Sequence, residues 1–493
     1  MSKGRSCAHN VIQLDPSPFA EVAGYERPNA RKRLASMTIT GSVPPDSNNK
    51  AIERGAEEIA KDFPAPLVLP WDDLNHNPEC PEQNFKSWAG MKERNRVGEG
   101  ERRTIYVGEI LGNRGNELDK DKIMEKKASD SEGTLKRPET DEIIEYLRAF
   151  YHGMEVKELD DDVQLSGLGS AKPTAKKTRE TRGTGARQHL TLSYKRTTQR
   201  VRVRPSPDGK FATQLNLDDI LDLAIAILPT DAYALVFLTH HDLYEDEDDD
   251  FCCGRAYGGS RVCVVQTARY NPMLDMSKEK KTKVKKEIEE HTWPLSHCAS
   301  FVNALCAEED VFPTSALTRA SLSPSNSGIR AAIDAVAVGA KSCTILDSER
   351  LEAVWFSRVA KTVSHEVGHC WGMAHCVFFA CVMQGTAGVE EDERQPPYLC
   401  CGCEGKVAWG VVGELGWEEV NNRVDGGEGK GKRKRGGLGN GEVTELRREL
   451  YLRERYEILR KYCEKWDGYG VGMWDGYAAW LGVRLGKLAC GES

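Results

Sequence analysis

No run of about 18 apolar residues occurs in the 493-residue chain, so no segment is suited to cross a bilayer as a helix. The opening Met-Ser-Lys-Gly-Arg-Ser lacks the apolar core of a secretory signal, which sets the expectation of a protein that is not secreted. A strong charge of one sign is missing too. With 68 Lys and Arg against 76 Asp and Glu, the net charge is −8, and this argues against general nucleic-acid binding. No internal repeat stands out. Cysteine is not scarce: there are 16. In a chain expected to stay in the reducing cytoplasm, thiols point to metal binding rather than disulfides. The 39% hydrophobic and 29% charged residues suit a soluble core with a good deal of polar, unpacked chain. The length allows two or three domains, or one large domain with insertions.

The chemistry gathers in His365-Glu-Val-Gly-His369-Cys-Trp-Gly372-Met-Ala-His375, an H-E-x-x-H-x-x-G-x-x-H run. On a helix, His365 and His369 lie about 40° apart around the axis, so both rings face one side. That spacing suits one Zn²⁺. Gly372 can take positive φ, end the helix and turn the chain back. His375 can then reach the same metal as a third ligand. Three histidines leave one coordination position open, the mark of a catalytic zinc. Glu366 is placed to take a proton from a water acidified by the metal.

Cys376 and Cys381 follow, then Met383, then Cys400-Cys401-Gly402-Cys403. C-x4-C with a later C-x2-C can supply four thiolates to a second, closed zinc site. A redox C-x-x-C at 400–403 is the competing reading. The whole run resembles the archaemetzincins, a metzincin-like family of zinc metallopeptidases, in its eukaryotic type. Blocks in the span 63–465 carry the likeness as well. The resemblance implies a zincin/metzincin-like α/β (α+β) fold, with a mixed twisted sheet, a long active-site helix and a four-cysteine zinc segment. It implies Met383 as the residue of a Met-turn beneath the catalytic zinc. It implies Cys376, Cys381, Cys400 and Cys403 as ligands of the second zinc, with Cys401 an extra thiol that could replace Cys400. Two Zn²⁺ per chain follow.

Residues 1–62 are rich in Pro, Ser, Asn, Lys and Arg, and are expected to form a disordered tail with at most a short helix at Asn49–Asp62. Residues 63–100, punctuated by proline, read as an extended arm packed on the core. Residues 101–493 read as the catalytic domain, interrupted by polar insertions near 112–138, 160–187, 312–343 and 418–444. Within it, Thr104–Gly108 and Ala232–Thr239 are expected strands, and Glu139–Gly153 and Asn216–Leu228 expected helices. Arg350–Trp371 is the expected active-site helix. His240, His241, Asp242 and the acidic run Glu245–Asp250 read as a solvated loop. Arg261–Thr267 reads as a strand, and the family likeness makes it the sheet edge above the metal, where a peptide could add itself. Lys430-Gly-Lys-Arg-Lys-Arg435 reads as a solvated basic loop, with nuclear import as its alternative use.

The function expected from all this is zinc-dependent hydrolysis of peptide bonds, of short peptides and with aminopeptidase action as one form. The rival from another class is a catalytically inactive, zinc-stabilised binding or scaffold protein. The partner expected is a peptide, with no membrane.

Overall fold

The structure, a computed structural model, describes residues 9–112, 135–167, 188–275, 291–313, 318–342, 348–414 and 440–490. Its centre is a strongly curled mixed sheet. The strands are β1 (Thr104–Gly112), β2 (Glu155–Glu158), β3 (Val163–Ser166), β4 (Gln188–Tyr194), β5 (Thr197–Arg204), β6 (Gln214–Asn216), β7 (Ala232–Thr239), β8 (Asp242–Tyr244), β9 (Gly254–Tyr257) and β10 (Val262–Gln266). Their order is β9-β10-β7-β1-β3-β4-β5-β6-β8, with β2 also pairing β1. Only two residues separate β7 from β8, yet they lie far apart in this order. The sheet therefore curls until β8 nears the segment leading into β9: Cys252 N–H donates to Leu243 O at 2.8 Å.

Every residue of β7 is buried, because both of its faces are covered. Leu235 and Phe237 pack with Val262 and Val264 of β10 and with Leu217, Ile220 and Leu221. Those leucines and the isoleucine belong to a helix at Leu217–Ile227, capped by Asn216, whose side chain accepts from Asp219 N–H. Val236 and Leu238, with Cys263 and Val265, face the other way. A continuous apolar run is what a strand sandwiched between two layers requires.

The layer on that second face holds the helix that carries the histidines, at Ser348–Cys370. Ala353, Phe356, Val359, Ala360, Val363 and Val367 are buried in the same core as Val236 and Val265. Outside it stand three more helices, at Thr140–Phe150, Asn440–Cys463 and Gly472–Cys490. No described helix is long and apolar enough to cross a membrane.

Four expectations are corrected. Residues 9–62 are folded, not a mobile tail: Ile12 and Gln13 pair with Ala320 and Arg319, and Ala65 N–H donates to Leu14 O at 3.0 Å. Asn29 and Asn48 cap helices at Ala30–Ser36 and Asn49–Ala60, the second burying Ile52, Ala56 and Ala60. Small residues form that buried stripe, so its apolar signal is weak. Residues 328–342 of the supposed 312–343 insertion form an alanine-rich helix that buries Ile329, Ala332 and Ile333. It packs so closely on the Gly472–Cys490 helix that a Cβ at Gly328 would collide with Trp480. The stretch 160–187 contains β3, and its remainder from 168 lies outside the described residues, as do the basic run at 430–435 and 415–439 generally. Last, β10 is not the sheet edge. It pairs with β7 on one side and with β9, antiparallel, on the other, so β9 is the free edge.

Candidate metal centre

Three imidazoles meet at the C-terminal end of the Ser348–Cys370 helix. The ring nitrogens of His365, His369 and His375 that could bind a metal lie within 4.8 Å of one another. His365 Nδ1 donates to Val382 O at 2.6 Å, and His369 Nδ1 to Met373 O at 2.7 Å. Those bonds fix the tautomer, leaving Nε2 as the donor atom turned to the common centre. The two Nε2 atoms stand 3.0 Å apart. Burial lowers the pKa of all three rings, His369 to about 4 and His365 well below its usual range. They are neutral at physiological pH, the form a cation needs.

The chain's turn at Gly372 brings in the third ring. Gly372 has φ 76°; its N–H donates to His369 O at 2.9 Å and Met373 N–H to Gly368 O at 3.1 Å. A Cβ here would lie 2.9 Å from Arg94 Cγ, so conformation and space both call for glycine. Beneath the rings, Met383 presses on the helix at Gly368: a Cβ at Gly368 would collide with its Sδ. Met383 O also accepts from Cys376 N–H at 2.7 Å.

Glu366 is buried and lines a cavity of about 570 Å³ that also opens on the three histidines. Burial pushes its carboxyl up to about 8. The edge strand β9 roofs this cavity through Gly254, Arg255 and Ala256. A Cβ at Gly254 would sit 3.0 Å from Glu366 Oε1, so the glycine lets strand and carboxyl approach.

The sulfurs of Cys376, Cys381, Cys400 and Cys403 form a second group, also within 4.8 Å and wholly buried. Cys376 and Cys400 Sγ are 3.7 Å apart. Backbone N–H groups of Met383 and Cys400 donate to Cys381 Sγ at 3.4 and 3.1 Å, the pattern that steadies a thiolate. Hydrogen bonds from the other three thiols hold Cys376 well below the usual thiol range. Cys401, half-buried, is not in the group, and Cys370 lies in the core.

His240 stands apart from the three gathered rings. Its Nδ1 lies 2.9 Å from Thr267 Oγ1, and burial lowers it to about 3. Asp242, read with the solvated loop, is instead in a buried strand and ion-paired with Arg269 at 2.6 Å.

Sequence reasoning missed what the arm does. The last carbonyls of the histidine helix have no partner within it, and the arm supplies donors. Trp88 Nε1 donates to Trp371 O at 2.9 Å, and Gln83 Nε2 to Gly372 O at 2.9 Å. Gln83 Oε1 in turn accepts from Ala374 N–H at 3.0 Å. The arm also brings Asp73 to His375. A Cβ at Gly385 would collide with both Asp73 Oδ2 and His375 Nδ1, and the Asp73 charge favours the protonated ring. A carboxylate behind a ligating imidazole raises its basicity and fixes its plane. Asp73→Asn is therefore expected to weaken metal affinity at the histidines by about 10- to 100-fold, measured by competition with a zinc-binding dye. Unchanged affinity would remove Asp73 from this role. Only the Asp-Asp pair ahead of Leu74 hinted at it.

A model of peptidase family M54 matches residues 328–408, the segment that holds all three histidines and all four gathered cysteines. The chain is 23% identical over 369 residues to archaemetzincin-2 of Macaca fascicularis, covering 74% of this chain and 75% of that one. Among solved structures it is similar to archaemetzincin from Methanopyrus kandleri, at 15% identity with a TM-score of 0.29, covering 64% of this chain and 98% of that one. It is also similar to a zinc-dependent peptidase from Methanocorpusculum labreanum, at 14% identity with a TM-score of 0.26, covering 62% and 99%. A zinc donor set, a carboxyl beside it and a family match on that same segment converge: the chain resembles the archaemetzincins of peptidase family M54 and is a zinc metallopeptidase.

Proposed function

We propose that the chain hydrolyses short peptides at a zinc ion held by His365, His369 and His375, with Glu366 as general base, and that a second zinc joins Cys376, Cys381, Cys400 and Cys403. The observation that carries this is the convergence of three neutral ring nitrogens beside a buried carboxyl on one open cavity. The donor sets fit zinc: three imidazoles leave a position free, and four thiolates close a tetrahedron. Bound zinc would acidify the attacking water and polarise the scissile carbonyl. Glu366 accepts the water's proton and passes it to the leaving amine. The free edge of β9 offers its N–H and C=O groups to an extended peptide and holds it across the cavity. The cysteine cluster anchors the chain on either side of Met383, and through it the floor under the rings.

Zinc content tests both sites. The purified protein is expected to carry two equivalents per chain by elemental analysis. His369→Ala should lose one equivalent and all turnover. Chelation should abolish peptide cleavage, and added Zn²⁺ restore it. A fully metal-depleted protein that still cleaves peptides would end this reading.

A further inference from the structure

Three acids follow one another at Glu391, Asp392 and Glu393, and they have different fates. Glu391 Oε2 accepts from Asp73 N–H at 2.8 Å and Ala387 N–H at 2.7 Å. Glu393 is ion-paired with Arg358. Asp392 is the one whose residue lines the catalytic cavity. It is 6% exposed, and its carboxylate enters no ion pair among the described residues. Its Oδ2 accepts from Thr362 Oγ1 at 3.2 Å, and Thr362 Oγ1 lies 2.7 Å from Tyr270 Oη. Thr362 sits one turn before His365 on the same helix, and both Thr362 and Tyr270 border the cavity.

The other charges of the cavity do not answer Asp392. Arg255, on the β9 roof, is held by Glu245 at 2.8 Å. The buried Lys361 ammonium feels the Asp392 charge but forms no ion pair with it: its hydrogen bonds go to the backbone carbonyls of Asp392 and Gln395, and it does not line the cavity. The histidines are neutral. Glu366 lines the same cavity as a second carboxyl. Apart from the zinc that the histidines would hold, the cavity thus presents two acids and no side-chain cation free to pair with Asp392 among the described residues. A buried, unpaired carboxylate is costly unless a partner arrives, and a substrate cation would be that partner.

We infer that Asp392 is a recognition residue that reads a positively charged group of the substrate beside the scissile bond, an ammonium or guanidinium. This rests on the peptidase reading above. The chemistry is the same whether the cation is a Lys or Arg side chain or a free α-amino terminus. Thr362 and Tyr270 hold the carboxylate in place through their hydroxyls.

The test uses the zinc-loaded full chain and peptides that differ only in charge. One pair is blocked at both ends and carries Lys or norleucine next to the cleaved bond. The other is a norleucine peptide with a free or an acetylated amino terminus. For wild type, one pair is expected to show about a thirtyfold preference in kcat/KM for the charged member, the scale of a buried charge pair. Which pair shows it names the source of the cation. In Asp392→Asn the ratio should fall to near one. Because the readout is a ratio within one protein sample, partial misfolding does not imitate it. No preference in wild type, or a preference that survives in Asp392→Asn, overturns the inference. If no peptide is cleaved at all, the peptidase reading fails instead. The same ratios are then read as Kd by fluorescence titration on Glu366→Ala and on Glu366→Ala combined with Asp392→Asn, and the same two outcomes decide.

Discussion

Glu366→Ala is expected to keep its zinc and lose peptide turnover by about 10²- to 10⁴-fold, the range for removal of a general base. The residue is inside the metal-binding run but is not among the gathered nitrogens. Its side chain opens on the cavity, and its removal leaves the histidine bonds to Val382 O and Met373 O intact. Metal binding and chemistry should therefore separate cleanly. Without a metal, burial keeps the carboxyl protonated at neutral pH, since it is raised to about 8. A dication at the histidine centre favours the carboxylate and pulls that value down. In the proposed mechanism the base would thus become competent once an ion is bound. The measurement is zinc stoichiometry alongside kcat/KM on a quenched peptide. Turnover equal to wild type would take Glu366 out of the mechanism, and lost zinc would make it a structural residue. Glu366→Asp offers a finer check, because the shortened side chain keeps the charge and withdraws the carboxylate from the cavity.

Much of the site can be read in the sequence because a helix and a turn of fixed geometry carry it. The four-residue step from His365 to His369 fixes two ring directions, and Gly372 fixes where the chain leaves the helix. The strand Ala232–Thr239 is legible for a similar reason: burial on both faces writes an unbroken apolar run. What the sequence conceals is long-range. The carbonyls of Trp371 and Gly372 find their donors in Trp88 and Gln83, some 280 residues earlier in the chain. No local pattern announces such a bond. The same holds for Asp73 behind His375.

Composition also misleads in two places. The stretch 9–62 is polar enough to pass for a tail, yet Tyr25 Oη donates to Val377 O at 2.6 Å, directly beside the first cysteine of the cluster. The Gly328–Ser342 helix is built on alanine and glycine, which fit tight helix contacts but give little amphipathic contrast. The edge strand is hidden for a different reason. The sequence points to a strand at Arg261–Thr267, and only its pairing with β7 on one side and β9 on the other decides which strand is free. The cavity wall with Asp392 depends on that outcome, because it is β9 that faces the wall across the histidines.

The largest effect on stability is expected from Cys403→Ala. Closed four-cysteine sites contribute on the order of 10 kcal/mol to folding in small zinc domains, comparable to the whole stability of a typical domain. Here the four thiols are buried among Phe378, Phe379, Tyr398 and Leu399, so losing the ion leaves three thiols facing one another in an apolar setting. The variant is expected to bind one zinc instead of two and to melt more than about 10 °C lower. Turnover should fall as well, although Cys403 touches no part of the cavity. The route runs through the chain: Cys376 follows His375, its N–H bonds Met383 O, and Met383 supports the helix at Gly368. Cys401→Ser is the matching control. Its thiol lies outside the gathered four, so both zinc equivalents and the melting temperature should stay as in wild type. A Cys403→Ala protein with two zinc ions and full stability would show that these sulfurs pack without a metal, and the coupling from cysteine cluster to histidine centre would have no basis.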